Sequence, residues 1–352
     1  MSNPLVSVVI PVFNGARYIA EAINSVLDQT LKELEIVIVN DGSTDSTAHI
    51  ISGYSDSRIR LVDHDSNNGL AEARNTGINN SRGKYIALLD GDDISDPTRL
   101  AEQVKEMERD QRIVFLGSWA TIIDDKSQPT GKLWKMESRD EELRVLLLFR
   151  NRFIVSSTMF RRERVPGGLF QNVPMAEDYS FAVAMSRIGR IGNLPKPLIR
   201  YRRHATSLTT SKQALMTECV EKILLQQLED FGIRPSEREL KIHQHVGRLL
   251  LQSSVSLLGE CENWLCKLSV QNDFVQRFDS HVFREIVSKE WFELCKYSSP
   301  AGLAAWRGYW HSNLSKNWLP SMWQRLKFLV KCLLKHRREG GDVPKVQATR
   351  ES

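Results

Sequence analysis

The sequence predicts an α/β protein, a mixed and mainly parallel sheet followed by an α-helical C-terminal region. Three observations predict it. Short apolar segments alternate with helical patterns from Val6 onward, the sign of a parallel sheet with right-handed crossovers. One continuous apolar run, Tyr85-Ile86-Ala87-Leu88-Leu89, ends in Asp90-Gly91-Asp92-Asp93. Such a run suits a strand covered on both faces. Beyond Ser211, helical spacing dominates.

Taken in order, Val6-Ser7-Val8-Val9-Ile10 reads as the first strand, halted by Pro11. Val12-Phe13-Asn14-Gly15 reads as a turn. Ala16 to Gln29 reads as a helix, with Ile19, Ala22, Ile23, Val26 and Leu27 at helical spacing. A second strand, Leu34 to Val39, runs into Asn40-Asp41-Gly42-Ser43-Thr44-Asp45, a strand end, turn and helix N-cap leading into Thr47 to Gly53. Arg58 to Val62 is a third strand and Ala71 to Asn79 a short helix carrying Arg74 and Asn75. After the acidic strand come a helix at Leu100 to Asp110 and a strand at Ile113 to Gly117. Ser156 to Phe160 reads as a strand and Gly167-Gly168 as a turn. Ala176-Glu177-Asp178-Tyr179 opens a helix to about Ile188, and Leu198 to Tyr201 is a last strand before Arg202, Arg203 and His204.

In the C-terminal part, helices are expected at Gln213 to Asp230, Glu237 to Leu258 and Ser280 to Tyr297. Trp318 to Arg338 holds six Lys or Arg and no acid. Leu319, Met322, Trp323, Leu326, Leu329, Val330 and Leu333 line one stripe of this segment. That pattern fits either an element lying on an anionic membrane or a helix packed on its own domain. The division predicted is a catalytic domain over 1–210, a helical region over 211–338 with a basic amphipathic helix at 318–338, and a disordered tail over 339–352.

With 41% hydrophobic and 26% charged residues and a formal charge of +5, the composition is that of a globular protein. Five cysteines without CxxC or zinc spacing read as reduced thiols of a cytoplasmic protein. Neither a signal peptide nor the ~18-residue apolar run of a membrane span is expected. The absence of GxGxxG after the first strand and of GxxxxGK[ST] argues against dehydrogenase-type and P-loop nucleotide binding. No module that reads bases is present, so nucleic acid is not an expected partner.

Carboxylates at the end of a parallel strand sit where open α/β sheets bind ligands. In extended chain, Asp90 and Asp92 would point to the same side, and Gly91 would let a ligand approach the backbone. Anions this close repel unless a cation shares them, and hard ions such as Mg2+ or Mn2+ commonly bridge to phosphates. The competing reading is an acidic turn that caps the next helix. For Glu177 and Asp178, at a helix start, the competing reading is likewise simple capping.

Four stretches in one order carry a resemblance: Val6 to Asn14, Val39 to Asp45, Leu89 to Asp93, and Glu177-Asp178-Tyr179, joined by Asn68-Gly69 and Ala73 to Gly77. Over about residues 5–205 the chain resembles the family 2 inverting glycosyltransferases with the GT-A fold. The resemblance implies one α/β domain binding a nucleotide-sugar at the carboxyl edge of its sheet. It implies that Pro11, Val12, Phe13 and Asn14 line the nucleotide pocket and that Asp41 binds the base, commonly uracil. Arg74 would lie beside the nucleotide. Asp90, Gly91 and Asp92 match the DxD motif, touching ribose and metal, and Asp178 of the Glu177-Asp178 pair matches the general base. Asn40-Asp41 stands where many relatives have two aspartates. The QxxRW motif of processive polymerases is missing, and Tyr201-Arg202-Arg203-His204 is similar to the YRxH stretch of non-processive bacterial members, which would bring His204 to the diphosphate or metal.

The expected function is therefore a transferase of hexosyl or N-acetylhexosaminyl type that depends on Mn2+ or Mg2+ and inverts the anomeric carbon. It would move one sugar from a UDP-sugar to a glycan or lipid-linked acceptor in surface polysaccharide biosynthesis, in the cytoplasm and, on the membrane reading of the 318–338 helix, peripheral on the cytoplasmic face of the inner membrane. The acceptor site is expected to draw on Trp119 to Pro174. The alternatives are a sugar-nucleotide pyrophosphorylase and an inactive nucleotide-sugar-binding protein.

Overall fold

The computed structural model describes residues 4–165, 170, 175–204, 213–248 and 255–334. Gly167-Gly168, part of the 119–174 stretch, residues 249–254 of the expected 237–258 helix, Lys335, Arg337, Arg338 and the 339–352 tail lie outside these. The described chain forms two compact units, one from residues 4–143 and 151–220 and the other from 144–150 and 221–334.

The first unit is built on β1 (Val6–Val12), α1 (Ile19–Leu27), β2 (Leu34–Asn40), α2 (Thr47–Ser52), β3 (Ile59–Asp63), α3 (Leu70–Asn79) and β4 (Tyr85–Leu88). It continues with β5 (Ile94–Ser95), α4 (Arg99–Arg109), β6 (Ile113–Ile123), β7 (Pro129–Trp134), α5 (Asp140–Leu147), β8 (Met159–Arg161), α6 (Glu177–Ile188) and β9 (Arg190–Arg202), α5 running on into the second unit. Among the described residues the strands form one mixed sheet in the order β3-β2-β1-β4-β8-β6-β9-β5, with β7 on β6. Parallel ladders β3–β2, β2–β1, β1–β4 and β6–β9 carry most of the pairing. Every residue of β1, β2 and β4 is buried, as continuous apolar strands between two helical layers require.

Register brings three strand ends together. Val12 pairs with Asn40, while β4 leaves β1 after Val9 opposite Leu88. Pro11 therefore does not halt β1. It faces only β2, beyond the end of β4, where its missing N–H removes no bond to β4. A side chain at Gly91 would stand 3.3 Å from Val12 Cγ2 and 3.4 Å from the Pro11 carbonyl, so glycine lets the acidic turn close on β1.

Other elements differ from expectation for identifiable reasons. Helix α1 starts at Ile19, after a turn in which Tyr18 N and Ile19 N donate to the Gly15 carbonyl and Ala16 N donates to Asp45. Residues Val155–Ser157 form a 3-10 turn rather than strand. Ser157 and Thr158 hydroxyls donate to the carbonyls of Ile154 and Val155, offering the backbone an alternative to the ladder. Strand β9 runs far longer than Leu198 to Tyr201. Its exposed Pro195 and Lys196 are looped out of the register, between the pairs Leu194 with Ser118 and Pro197 with Trp119. Strands β5 and β7 and helix α5 are further elements that the residue pattern did not announce.

The second unit is helical: residues of Gln213–Asp230, then Glu237–Arg248, Val255–Val275, Ser280–Tyr297, Leu303–His311 and Met322–Leu333. Its core holds Trp264, Phe283, Trp291, Phe292, Tyr309 and Phe328. His243 is locked inside it, its Nδ1 accepting from Trp264 Nε1 and its Nε2 donating to the Leu148 carbonyl. Burial lowers its pKa to about 4, so it stays neutral. Among the described residues, no helix is long and apolar enough to cross a membrane.

Candidate active site

At the carboxyl end of the sheet, two loops lock each other. Asn14 adopts a left-handed conformation, with φ of 50°. Its side-chain oxygen accepts from Thr44 N (2.8 Å) and Asp45 N (3.3 Å), and its own N donates to Ser43 Oγ (2.9 Å). Phe13 is left 47% exposed beside them. Pro11 and Val12 are buried at the end of β1, next to this loop. Asp41 is buried and organises the next loop: Oδ1 is bonded by His64 Nδ1 (2.7 Å) and Asn68 N (2.9 Å), and Oδ2 by Gly69 N (2.9 Å). A carboxylate offers about four lone pairs, so Oδ2 retains capacity for one further donor.

The acidic stretch is a turn, not extended chain. Asp93 N donates to the Asp90 carbonyl at 3.1 Å, and Gly91 and Asp92 form the bend. The three carboxylates consequently part ways. Asp90 Oδ1 accepts from Arg74 Nη2 at 2.7 Å. Asp92 Oδ2 meets His204 Nε2 at 2.8 Å. Asp93 turns into the interior, where it accepts from Arg202 N at 2.8 Å, and burial, then Asp92 and Asp90, push its pKa well above the ordinary carboxylate range. A fully buried Arg202 side chain fastens this end: it donates to the Asp92 carbonyl (2.7 Å), Ser127 Oγ (2.8 Å) and Glu21 (3.1 Å). The Tyr18 ring lies 4.3 Å from its guanidinium and 5.3 Å from the His204 ring.

Arg74 bridges the turn to α6. Almost wholly buried, it pairs with Asp90 on one side and Glu177 on the other. Burial opposes its charge, yet Asp90 and then Glu177 outweigh burial and raise its pKa. Next to Glu177 stands Asp178, half-buried. Its Oδ2 accepts from Asn151 Nδ2 (2.8 Å) and its Oδ1 from Tyr179 N (2.8 Å). The Asn151 amide is itself oriented, because its oxygen accepts from Phe153 N at 3.0 Å. Burial first and Glu177 second raise the Asp178 pKa to about 6, against Arg74, which lowers it. Burial thus outweighs whatever the helix start contributes, and the group is more basic than an ordinary carboxylate. The residue before the pair, Ala176, holds φ 67°, a left-handed conformation an alanine rarely adopts, the kind of strain that gathers at functional sites.

The structure brings together Arg74, Asp90, Glu177 and Asp178, and separately Asp92 with His204. It adds residues that the sequence did not single out: Asn151, Ser156 (whose Oγ accepts from Asp90 N at 3.1 Å), His64 and Tyr18. None carries a local signature, since each acts across a long sequence separation. Among the described residues no cluster of three or more His, Cys, Asp or Glu is placed to hold an ion. Asp92 and His204 supply two donors on one side of the turn, at a hydrogen-bond separation of 2.8 Å that is slightly inside the ~3.0 Å between adjacent corners of an octahedron with ~2.1 Å bonds. A carboxylate and an imidazole are donor types that suit Mn2+, and the remaining ligands would have to come from the substrate and water. The donor set fits such an ion on those terms.

The family model described as "Glycosyl transferase family 2" matches residues 7–165. An uncharacterized glycosyltransferase of Haemophilus influenzae is 32% identical over 235 residues, covering 62% of this chain and 72% of the relative. One from Rickettsia typhi is 30% identical over 243 residues, covering 64% and 74%. Chondroitin synthase of Escherichia coli is 27% identical over 235 residues, which span 34% of its length. Among solved structures, Staphylococcus aureus TarS 1–349 superposes with a TM-score of 0.53 at 16% identity, over 86% of this chain and 88% of that one, which speaks for the GT-A fold alone. On its identity to these relatives and the family match, the chain belongs to glycosyltransferase family 2.

Proposed function

We propose that the chain is a metal-dependent, inverting glycosyltransferase that moves one hexosyl or N-acetylhexosaminyl unit from a UDP-sugar to a glycan or lipid-linked acceptor. The observation that carries this reading is Arg74, which ties the acidic turn to α6 through Asp90 and Glu177 and so holds Asp178 beside it. The S. aureus TarS structure with UDP-GlcNAc, at a TM-score of 0.50, favours a UDP donor. The lobe formed by Pro11, Val12, Phe13, Asn14 and Asp41 would seat the nucleoside, with the free Asp41 Oδ2 lone pair taking a donor of the base. Gly91 would give the diphosphate room, and Asp90 would face the ribose. Mn2+ or Mg2+ held by Asp92 and His204 would neutralise charge on the departing diphosphate.

Asp178 would take the proton of the acceptor hydroxyl as its oxygen forms a bond to the anomeric carbon. The carbon–oxygen bond to the diphosphate breaks on the opposite face, and the nucleotide leaves with that electron pair. A pKa of about 6 suits this duty, since such a base is charged at neutral pH yet more basic than an ordinary carboxylate. A role in surface polysaccharide biosynthesis and a peripheral position on a cytoplasmic membrane face complete the reading. The five cysteines, all free, agree with a reducing compartment. Purified protein incubated with Mn2+ and a panel of UDP- and GDP-sugars should release nucleoside diphosphate from one UDP-sugar preferentially. Asp92→Asn should remove the metal-dependent release. Failure of every nucleoside diphosphate to bind in calorimetry would overturn the proposal.

A further inference from the structure

We propose that the helix Met322–Leu333 is a docking surface for an anionic phospholipid bilayer. The inference deepens the peripheral location just proposed by naming the surface and the lipid chemistry. From Leu294 to Arg338 the sequence holds nine Lys or Arg and no acid at all. The helix is fixed by one side only. Phe328 and Cys332 are buried, Phe328 against Trp306 (5.2 Å) and Phe292 (5.7 Å). A capping box between Ser321 and Gln324 sets its start.

The apolar stripe does not pack on the domain. Met322 is 84% and Trp323 63% exposed, and Leu319, Leu326, Val330 and Leu333 are exposed with them. At about 100° per residue the helical members of this set, Met322, Trp323, Leu326, Val330 and Leu333, fall on one arc, pointing away from the arc of Phe328 and Cys332. Lys327 and Lys331 flank the stripe on one side and Arg325 on the other, so aliphatic stems lie along the apolar face while charges stay at its rim. This is the arrangement of a helix lying in a membrane interface, with indole at headgroup level and cations toward phosphate. A second copy is the poorer occupant. Stripe against stripe would set the basic rims side by side, with no acid anywhere from Leu294 to Arg338 to offset them.

The test uses the full chain and sedimentation with vesicles, either of phosphatidylcholine alone or of phosphatidylcholine with phosphatidylglycerol. The protein should pellet with the anionic vesicles at low salt, leave them at high salt, and ignore the neutral ones. The paired change Trp323→Glu with Leu326→Glu should lower partitioning ~10-fold or more. Lys327→Glu with Lys331→Glu should do the same and move release to lower salt. Indifference to anionic vesicles, or pelleting of either paired variant to the same extent as the unchanged protein, would overturn the inference. So would a dimer in sedimentation velocity that the Trp323→Glu, Leu326→Glu protein loses, which would make a second copy the occupant. Nucleotide release by the same preparations reports the transferase reading separately: vesicle failure with normal release sinks only the docking surface, and the reverse sinks only the reaction.

Discussion

At Asp178, the proposed function and stability pull in opposite directions. The fold raises this carboxyl from near 3.8 to about 6, so the folded state favours the protonated form. Its contribution to stability is therefore present below pH 4 and is lost as pH rises through 6. Activity runs the other way, because a general base must be ionised: the rate should fall on the acid side of about pH 6. Asp178→Asn should lower kcat ~10²–10⁴-fold, and its stability relative to wild type should improve as pH goes from 4 to 8, read from melting temperatures. A variant that loses stability equally at every pH while keeping kcat would mean that Asp178 only caps its helix. Asn151→Ala is the finer probe. Its amide donates to the charged carboxylate, so its removal should shift the acid limb of the pH–rate profile upward. The pair Glu177-Asp178 was legible in the sequence because two acids open a helical pattern. Asn151 was not, because nothing local to it differs from any loop asparagine.

Among the elements, α3 shows why a residue that weakens a helix can be required by the sheet. Gly77 lowers helix propensity by up to ~1 kcal/mol relative to alanine. Yet a side chain there would stand 2.3 Å from Val9 Cγ1 and 3.3 Å from Val39 Cγ2. Val9 lies on β1, held between β2 and β4, so the strand has little freedom to yield. Overpacking of ~1–3 kcal/mol should therefore exceed the propensity gain, and Gly77→Ala should lower the melting temperature. It should also depress activity, since Arg74 rides the same helix one turn earlier. A raised melting temperature would show that α3 can lift from the sheet without loss. Buried elements such as β1, β2 and β4 were readable because continuous apolar runs announce them. The almost wholly exposed β7 offers no apolar alternation to read, and the prolines of β9 read as breakers although the bulge absorbs them.

The first unit as a whole brings the end of β9 back to the acidic turn. Asp92 and His204 meet across 112 residues, and Arg202 nails the closure by reaching the Asp92 carbonyl, Ser127 and Glu21 at once. Motif order in the sequence indicated that these segments converge, but it could not show that one buried guanidinium supports both proposed ligands. If Asp92 and His204 share one ion, their contributions to Mn2+-dependent UDP affinity cannot be independent. Either substitution alone already breaks the shared site, so the second has less left to remove. Asp92→Asn, His204→Ala and the double variant should thus show a coupling of ~0.5–3 kcal/mol in calorimetric UDP affinity with Mn2+. Without metal the same cycle should nearly close, leaving only their direct hydrogen bond. Asp41→Ala provides the control, because it should weaken UDP binding by about the same factor with and without Mn2+. Additive effects within ~0.5 kcal/mol in the presence of Mn2+ would place the ion elsewhere and leave His204 a surface neighbour of Asp92.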